Sequence, residues 1–509
     1  MITQARAKAV RSGGPAERGP ELPPLARFPV FAAMAALGVL LTAASSAYGY
    51  HRDELYFRML PPEWGYVDQP PLTPLLVRLF SVLVADEVWA IRIPATMAAV
   101  ASVLVVVLIT RELGGGRAAQ GLCAWAYAFA TAPLLFGHVM LTATLDLVFW
   151  PAVVLLMMRA VLREQPAWWL AAGSVVGLAM YNKLLIAGLL VSLAAGLLLA
   201  GPRKVFRSGR VWGAAALALA IGSPNLFYQT AHGWPQLEMG AALAENNAAE
   251  TRVLMWPFLV LALGPPLAAV WAAGAIALLR RPQWRPVRFS AAALPILLAL
   301  TFLAGGQIYY PSGLLTVLFA AGCVPTAAFL SAARARWRAL AAGAVALNPA
   351  VAAVISLPVL PVPTLAASPV PDINQVAADQ VGWPVYVEQV AAVYRSLPGK
   401  DAEGAVLIAS NYGEAGALAR YGPALGLPPA YSGHNELQLR GKPPDTGGAV
   451  IVVGGQASLA RTLLDDCRRA GVLDNGVGVD NEEQGQEILV CSSPASGWRE
   501  LWPSFAHYD

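Results

Sequence analysis

Residues 48–79 read YGYHRDELYFRMLPPEWGYVDQPPLTPLLVRL. The stretch follows an apolar run, 28–47, long enough to cross a bilayer. Yet it sets Arg52, Asp53, Glu54, Glu63 and Asp68 among tyrosines, a tryptophan and paired prolines. Charged side chains are costly inside hydrocarbon, so the stretch belongs where a membrane helix meets water or lines a cavity. Such a cluster marks a functional site.

Composition fixes the class around it. Of 509 residues, 57% are hydrophobic and only 13% charged, and the mean hydropathy is +0.54. This is a polytopic α-helical membrane protein. A net charge of +4 on so long a chain gives no reason to expect a nucleic-acid partner. The preference for Arg over Lys fits a GC-rich bacterial genome. Run 28–47 could be a signal-peptide core, with small residues near Ala44–Ala47, but its length matches a spanning helix, which is the reading taken here.

Beyond it, apolar runs alternate with loops of two kinds. One kind is basic: Arg111 and Arg117, Arg159 and Arg163, then residues 203–210, 280–288 and 334–338. The positive-inside rule places these in the cytoplasm. The other kind carries carboxylates, amides and aromatics: the opening stretch, HVMLTATLD from His138, YNK from Tyr181, YQTAHGWPQLEMGAALAENNAAETR from Tyr228 and GGQIYY from Gly305. Threading the chain from a cytoplasmic N-terminus keeps every basic loop inside and predicts about eleven transmembrane helices. No internal repeat is evident.

The expected organisation is a disordered cytoplasmic tail at 1–27, a transmembrane domain at 28–357 whose first outer loop is 48–89, a proline-rich linker at 358–380, and an extracytoplasmic α/β domain at 381–509. In that last domain the pattern predicts helices at 383–397, 415–421 and 458–470 and strands at 405–409, 449–453 and 487–491. The VVGG turn after the second strand lacks the GxGxxG spacing and reads as structural. Cys123 and Cys323 fall in apolar runs, Cys467 and Cys491 in the polar part. No metal-ligand spacing joins them. Cys467 and Cys491 could pair outside the cytoplasm, but the simpler expectation is two separate thiols.

Taken in order, YHRDELYF with GYVDQPPL, HVMLTATLDLVFW, GLAMYNKLLIAGLL, SPNLFYQTAHGWPQLE and QIYYPSGLLTVLFAAG resemble the bacterial membrane glycosyltransferases of family 39. That family lies in the C-type superfamily with the protein O-mannosyltransferases and the aminoarabinose transferase acting on lipid A. The similarity runs on into VGWP at Val381 and SNYGEAGALARYGP at Ser410. It implies a C-type fold and transfer of a sugar from a polyprenyl-phosphate carrier to a lipid, glycan or protein acceptor. The reaction would take place at the outer face of the cytoplasmic membrane, usually with inversion, with membrane lipids as surroundings.

Such chemistry needs a carboxylate for the acceptor proton, a cation for the departing phosphate, and amide or aromatic groups to orient the sugar. Asp53 matches the family's acidic residue in the first outer loop and is the candidate base, with Glu54 beside it and Arg52 before it. Neighbours on a helix point about 100° apart, so one of the two acids faces the substrate. Asp68 and Asp146 are supporting carboxylates. Lys183 is the phosphate contact, and Arg92, at a recurring family position, is expected to share it. His138, Gln307, Tyr309 and Tyr310 are assigned to substrate binding. Many relatives carry a basic residue before the paired tyrosines, whereas this chain has Gln307, which cannot help neutralise a phosphate. Each residue has a plainer reading: Asp53 and Asp146 as helix caps, Asp68 as a turn cap, Lys183 as a snorkelling lysine, Arg92 as the partner of Asp86 or Glu87. Some C-type enzymes use a divalent ion, so Mg or Mn stays open, and no metal ligand is assigned. A lipid-linked-sugar flippase and a catalytically silent subunit are the alternatives. Transporters gather polar groups at the midplane, whereas here they gather at the outer edge.

Overall fold

A computed structural model describes residues 22–508. The expected tail at 1–27 lies outside the described residues as far as position 21. Among these described residues, five helices are long and apolar enough to span a bilayer: Arg27–Ala44, Val88–Glu112, Gly209–Ala231, Ser312–Ala332 and Ala335–Ser356. Two bent pairs raise this to seven: Arg117–Ala128 with Thr131–His138, bent by 49°, and Pro235–Leu261 with Pro265–Arg280, bent by 91°. The apolar helices Leu72–Leu83, Ala167–Ala179, Ile186–Ala200 and Phe289–Ala304 are shorter, reaching only about 18–24 Å at 1.5 Å per residue. The expected count of about eleven rested on apolar runs, four of which form these shorter helices.

The two bends have a local cause and a shared repair. Gly264, at φ +102°, precedes Pro265 and Pro266, so the chain turns sharply and the prolines supply no N–H. Backbone groups freed in an apolar interior must find partners. The Ala132 N–H, at the other bend, donates to the Ala262 carbonyl at 2.9 Å, and Asn348 Nδ2 donates to the Leu263 carbonyl at 3.1 Å. Elsewhere the bundle is held by backbone-close crossings. A Cβ on Gly274 would stand 1.9 Å from the Leu318 carbonyl oxygen, and one on Gly322 would stand 1.8 Å from that of Val270.

One end of the bundle gathers basic loops. Glu112 takes Arg159 at 3.2 Å and Arg163 at 2.6 Å, while Trp284 Nε1 donates to the Leu113 carbonyl at 3.2 Å. The opposite end carries the acidic stretch and the C-terminal domain. There the sheet runs β2-β1-β3-β5-β4, with β1 Val406–Ala409, β2 Ala430–Ser432, β3 Val450–Val453, β4 Arg468–Val472 and β5 Glu487–Cys491. β1 is parallel to β2 and β3, and β5 is antiparallel to β3 and β4. The buried VLIA and VIVV strands are those expected. The helix expected at 458–470 stops at Leu463, and its tail becomes β4. The three-residue β2 gave no signal. Cys467 and Cys491 form a disulfide, correcting the expectation of separate thiols: β4 pairs with β5 just beyond Cys467, a juxtaposition that only the tertiary fold creates.

The first loop is part of the C-terminal domain's core. Tyr50, Leu55, Phe57 and Tyr66 share one buried cluster with Trp383, Val390, Leu407, Ala415 and Val490. The linker is likewise ordered as three short helices, Val362–Ala366, Val370–Ile373 and Gln375–Ala378, packed through Leu365, Val370 and Ala377. The crossing of Val270–Gly274 with Leu318–Gly322 supplies a test. Gly322→Val should lower the melting temperature and the yield of folded protein sharply, whereas Gly343→Ala, with nothing within 4 Å of its Cβ, should change neither. Equal behaviour in thermal melts would refute the close crossing.

Candidate active site

The helix Arg52–Met59 begins with a reciprocal cap. The Asp53 N–H donates to His51 Nδ1 at 3.1 Å, and the His51 N–H to Glu54 Oε2 at 2.9 Å. This pins the first turn, and consecutive side chains then diverge. Glu54 turns inward to a site with no exposed surface, where Arg92 Nε and Nη2 each reach its carboxylate at 2.8 Å. Asp53 turns the other way. It lines a cavity of about 720 Å³ between the bundle and the C-terminal domain.

Several elements converge on that cavity. Arg52, Asp53, Tyr56 and Asp68 come from the first loop, Thr142 and Lys183 from the next two hairpins, and Gln307, Tyr309 and Tyr310 from the segment before Ser312–Ala332. Lys183 Nζ donates to the Tyr309 hydroxyl at 3.1 Å and to Thr142 Oγ1 at 3.3 Å. It also lies 5.1 and 5.2 Å from the Tyr309 and Tyr310 ring centroids. Its hydrogen bonds therefore go to neutral hydroxyls. Arg52 is committed differently: its guanidinium pairs with Glu482 and lies over the Tyr412 ring at 4.8 Å. The Tyr56 hydroxyl donates to Asp68 at 3.2 Å.

A second wall is built of amides and an indole: Gln69, Gln229, Trp234, Gln236, Asn246, Asn247 and Asn435. The Nε2 atoms of Gln69, Gln229 and Gln236 are buried with no hydrogen-bond partner among the described residues. Donors so placed favour a ligand rich in oxygen acceptors. An indole beside amides suits the faces and hydroxyls of a saccharide.

Residues 68–228 match the family model described as dolichyl-phosphate-mannose-protein mannosyltransferase. The fold aligns with ArnT from Cupriavidus metallidurans bound to undecaprenyl phosphate, with a TM-score of 0.57 at 13% identity over 90% of this chain and 97% of that one. The apo form of the same ArnT aligns over 94% and 99%, also with a TM-score of 0.57 at 13% identity. The chain has the fold of these ArnT structures. No curated protein sequence matches it.

Within this C-type fold the sequence-assigned residues separate. Arg52, Asp53, Asp68, Lys183, Gln307, Tyr309 and Tyr310 meet at the cavity. Glu54, Arg92 and His138 do not. Arg92 is fully buried and also donates to the Ser45 and Gly49 carbonyls and to Gln380 Oε1, with His138 Nε2 3.2 Å away. Its guanidinium is committed to these partners and lies outside the cavity lining, away from Lys183's site. Its alternative partners are taken as well, Asp86 by Arg58 and Glu87 by Arg420. Asp146 sits one layer deeper. It accepts from Asn182 Nδ2 at 3.0 Å and lines a pocket of about 30 Å³ that shares Tyr309 and Tyr310 with the main cavity. Tyr412 and Asn435, from the C-terminal domain, were missed. Tyr412 lies inside the quoted SNYGEAGALARYGP motif, whereas Asn435 has no sequence signal. Among the described residues, no three His, Cys, Asp or Glu side chains converge as a metal site. The carboxylates that line the cavity are Asp53 and Asp68.

Several acids beside the site, outside the membrane spans, are held protonated to unusually high pH. Burial, reinforced by Glu436, pushes Asp68 up to about 7. Burial, opposed by Arg52 and reinforced by Glu483, pushes Asp379 up to about 7. Burial and the charge of Glu483 push Glu414 up to about 8, against the Asn411 and Ser410 N–H groups and Arg52. The folded chain therefore binds more protons than the unfolded one from about pH 4 up to these values. Their contribution to stability is full at the acid end and is lost as pH rises through 7 to 8. Melting temperature in detergent should fall between pH 5.5 and 8.5, with a shallower slope in Glu414→Gln. A rising melting temperature over that range would contradict this assignment.

Proposed function

We propose that the chain transfers a hexosyl or pentosyl group from a polyprenyl-phosphate-linked donor to an acceptor, with inversion, at the outer face of a bacterial cytoplasmic membrane. The observation that carries this reading is one cavity lined by both the Asp53 carboxylate and Lys183, a lysine whose hydrogen-bond partners are neutral hydroxyls. The solved ArnT of like fold holds undecaprenyl phosphate. A monophosphate headgroup would find Lys183 with the Tyr309 and Tyr310 hydroxyls, which is why Gln307 need not be basic. The amide wall with Trp234 would orient the sugar.

In the reaction, the acceptor hydroxyl oxygen bonds to the anomeric carbon while its proton passes to Asp53. The bond from that carbon to the phosphate oxygen breaks, and its electron pair leaves on the phosphate, where Lys183 stabilises the charge. General base catalysis of this kind contributes roughly a hundred- to ten-thousandfold. Asp68, which accepts from the Tyr56 hydroxyl at 3.2 Å, is the supporting carboxylate.

The proposed orientation puts the basic end in the cytoplasm and the C-terminal domain outside. The Cys467–Cys491 disulfide supports this, because such bonds persist in oxidising compartments. In a background lacking Cys123 and Cys323, Lys442→Cys should react with an impermeant maleimide in intact cells and Lys204→Cys only after permeabilisation. The reverse pattern would move the site to the inner face.

Purified protein should transfer radiolabel from polyprenyl-phosphate sugars. Asp53→Asn should lower kcat at least about a hundredfold while folding normally, and Lys183→Ala should chiefly raise the KM for the donor. Use of a nucleotide sugar in place of the lipid donor would overturn the donor assignment. Activity should survive exhaustive chelation, and strict restoration by Mg or Mn would move Asp53 from base to metal ligand.

A further inference from the structure

We propose that the C-terminal domain completes the active site, with Tyr412 acting as the positioning residue that orients the Asp53 carboxylate. This rests on the glycosyl-transfer reading above and adds to it a part for a domain outside the bundle. The Tyr412 hydroxyl donates to Asp53 Oδ1 at 3.0 Å, across 359 positions of sequence.

Tyr412 is held on several sides. Its ring lies 4.8 Å from that of Tyr56 and 4.7 Å from that of His434. Its backbone N–H donates to His434 Nδ1 at 3.1 Å, and the Arg52 guanidinium covers its face. Asn411 caps the helix Tyr412–Tyr421 in a reciprocal box with Glu414, which sets where the first turn begins. The helix then comes unusually close to Arg52–Met59. A Cβ on Gly416 would meet the Leu55 backbone carbon at 2.7 Å, and one on Gly413 would meet Arg52 Cβ at 2.8 Å. Side chains three apart share a helix face, so these glycines clear one face along which the two helices touch. That contact brings the phenol within reach of the acid.

The consequence is chemical. A hydrogen bond to one carboxylate oxygen fixes the plane of the group and favours its ionised form. A general base gains from both, since it must meet the acceptor hydroxyl in a defined direction.

The experiment compares Tyr412→Phe with wild type and with Tyr431→Phe, a control in the same domain that packs on Trp502. Tyr412→Phe keeps the ring and its packing. It should lower kcat about ten- to a hundredfold, leave the donor KM within about twofold, and move the acid limb of the pH–rate profile upward. A purely structural tyrosine would move neither the limb nor kcat alone. Gly416→Ala, which pushes the helices apart, should reproduce the kcat loss. Combined with Asp53→Asn, Tyr412→Phe should cost nothing more. Wild-type kcat and profile in Tyr412→Phe, or losses that multiply with those of Asp53→Asn, would overturn the proposal. If wild type transferred no sugar from any polyprenyl-phosphate donor, the functional reading would fail separately. Melting temperatures of the same single and double variants would then decide the contact: non-additive shifts sustain it, and additive shifts refute it.

Discussion

Arg92 brings a full positive charge to a position with no exposed surface, and the first loop, the Thr131–His138 helix and residue 380 close around it. Its main partner is Glu54, whose carboxylate also accepts the N–H groups of His51 and Met140. Removing one member of such a pair strands a buried charge and typically costs about 3–5 kcal/mol. The arrangement is therefore an anchor. It fixes the first turn of Arg52–Met59 against the bundle, and through Gln380 it reaches the segment that leads into the C-terminal domain. With Glu54 locked inward, helical geometry leaves Asp53 facing the cavity.

This division of labour between adjacent acids was half legible in the sequence. That only one of the two would face the substrate followed from helical spacing. That Asp53 lines the cavity while Glu54 is buried depends on Arg92, distant in sequence and lacking any local cue to its partner. Lys183, Gln307 and the paired tyrosines were readable because apolar runs isolate them. Trp234 and the glutamines near it lay inside a stretch already marked as polar. Tyr412 was harder: its motif was visible, but its reach to Asp53 depends on Gly413 and Gly416 permitting a close helix crossing, a tertiary fact. The strand Arg468–Val472 and the disulfide beside it were hidden for the same reason, because RRAGV pairs through its partner β5 rather than through its own propensity.

The cavity combines two chemistries. At one part of its lining a lysine among tyrosines offers charge in an apolar frame, as suits a phosphate tethered to a lipid. At another, amides and an indole, most of them on or beside the helices Gly209–Ala231 and Pro235–Leu261, offer polar contacts without charge, as suits hydroxyls. Asp53 shares the same lining. The first loop, buried in one apolar cluster with the C-terminal domain, makes these walls a single unit.

The most direct test of this account is a cryo-electron microscopy structure of the protein in lipid nanodiscs supplied with undecaprenyl phosphate. The account predicts phosphate density within hydrogen-bonding distance of Lys183 Nζ and the Tyr309 hydroxyl, with the polyprenyl chain leaving between the helices toward the bilayer. A phosphate ordered at the basic end of the bundle, with no phosphate at Lys183, would contradict it.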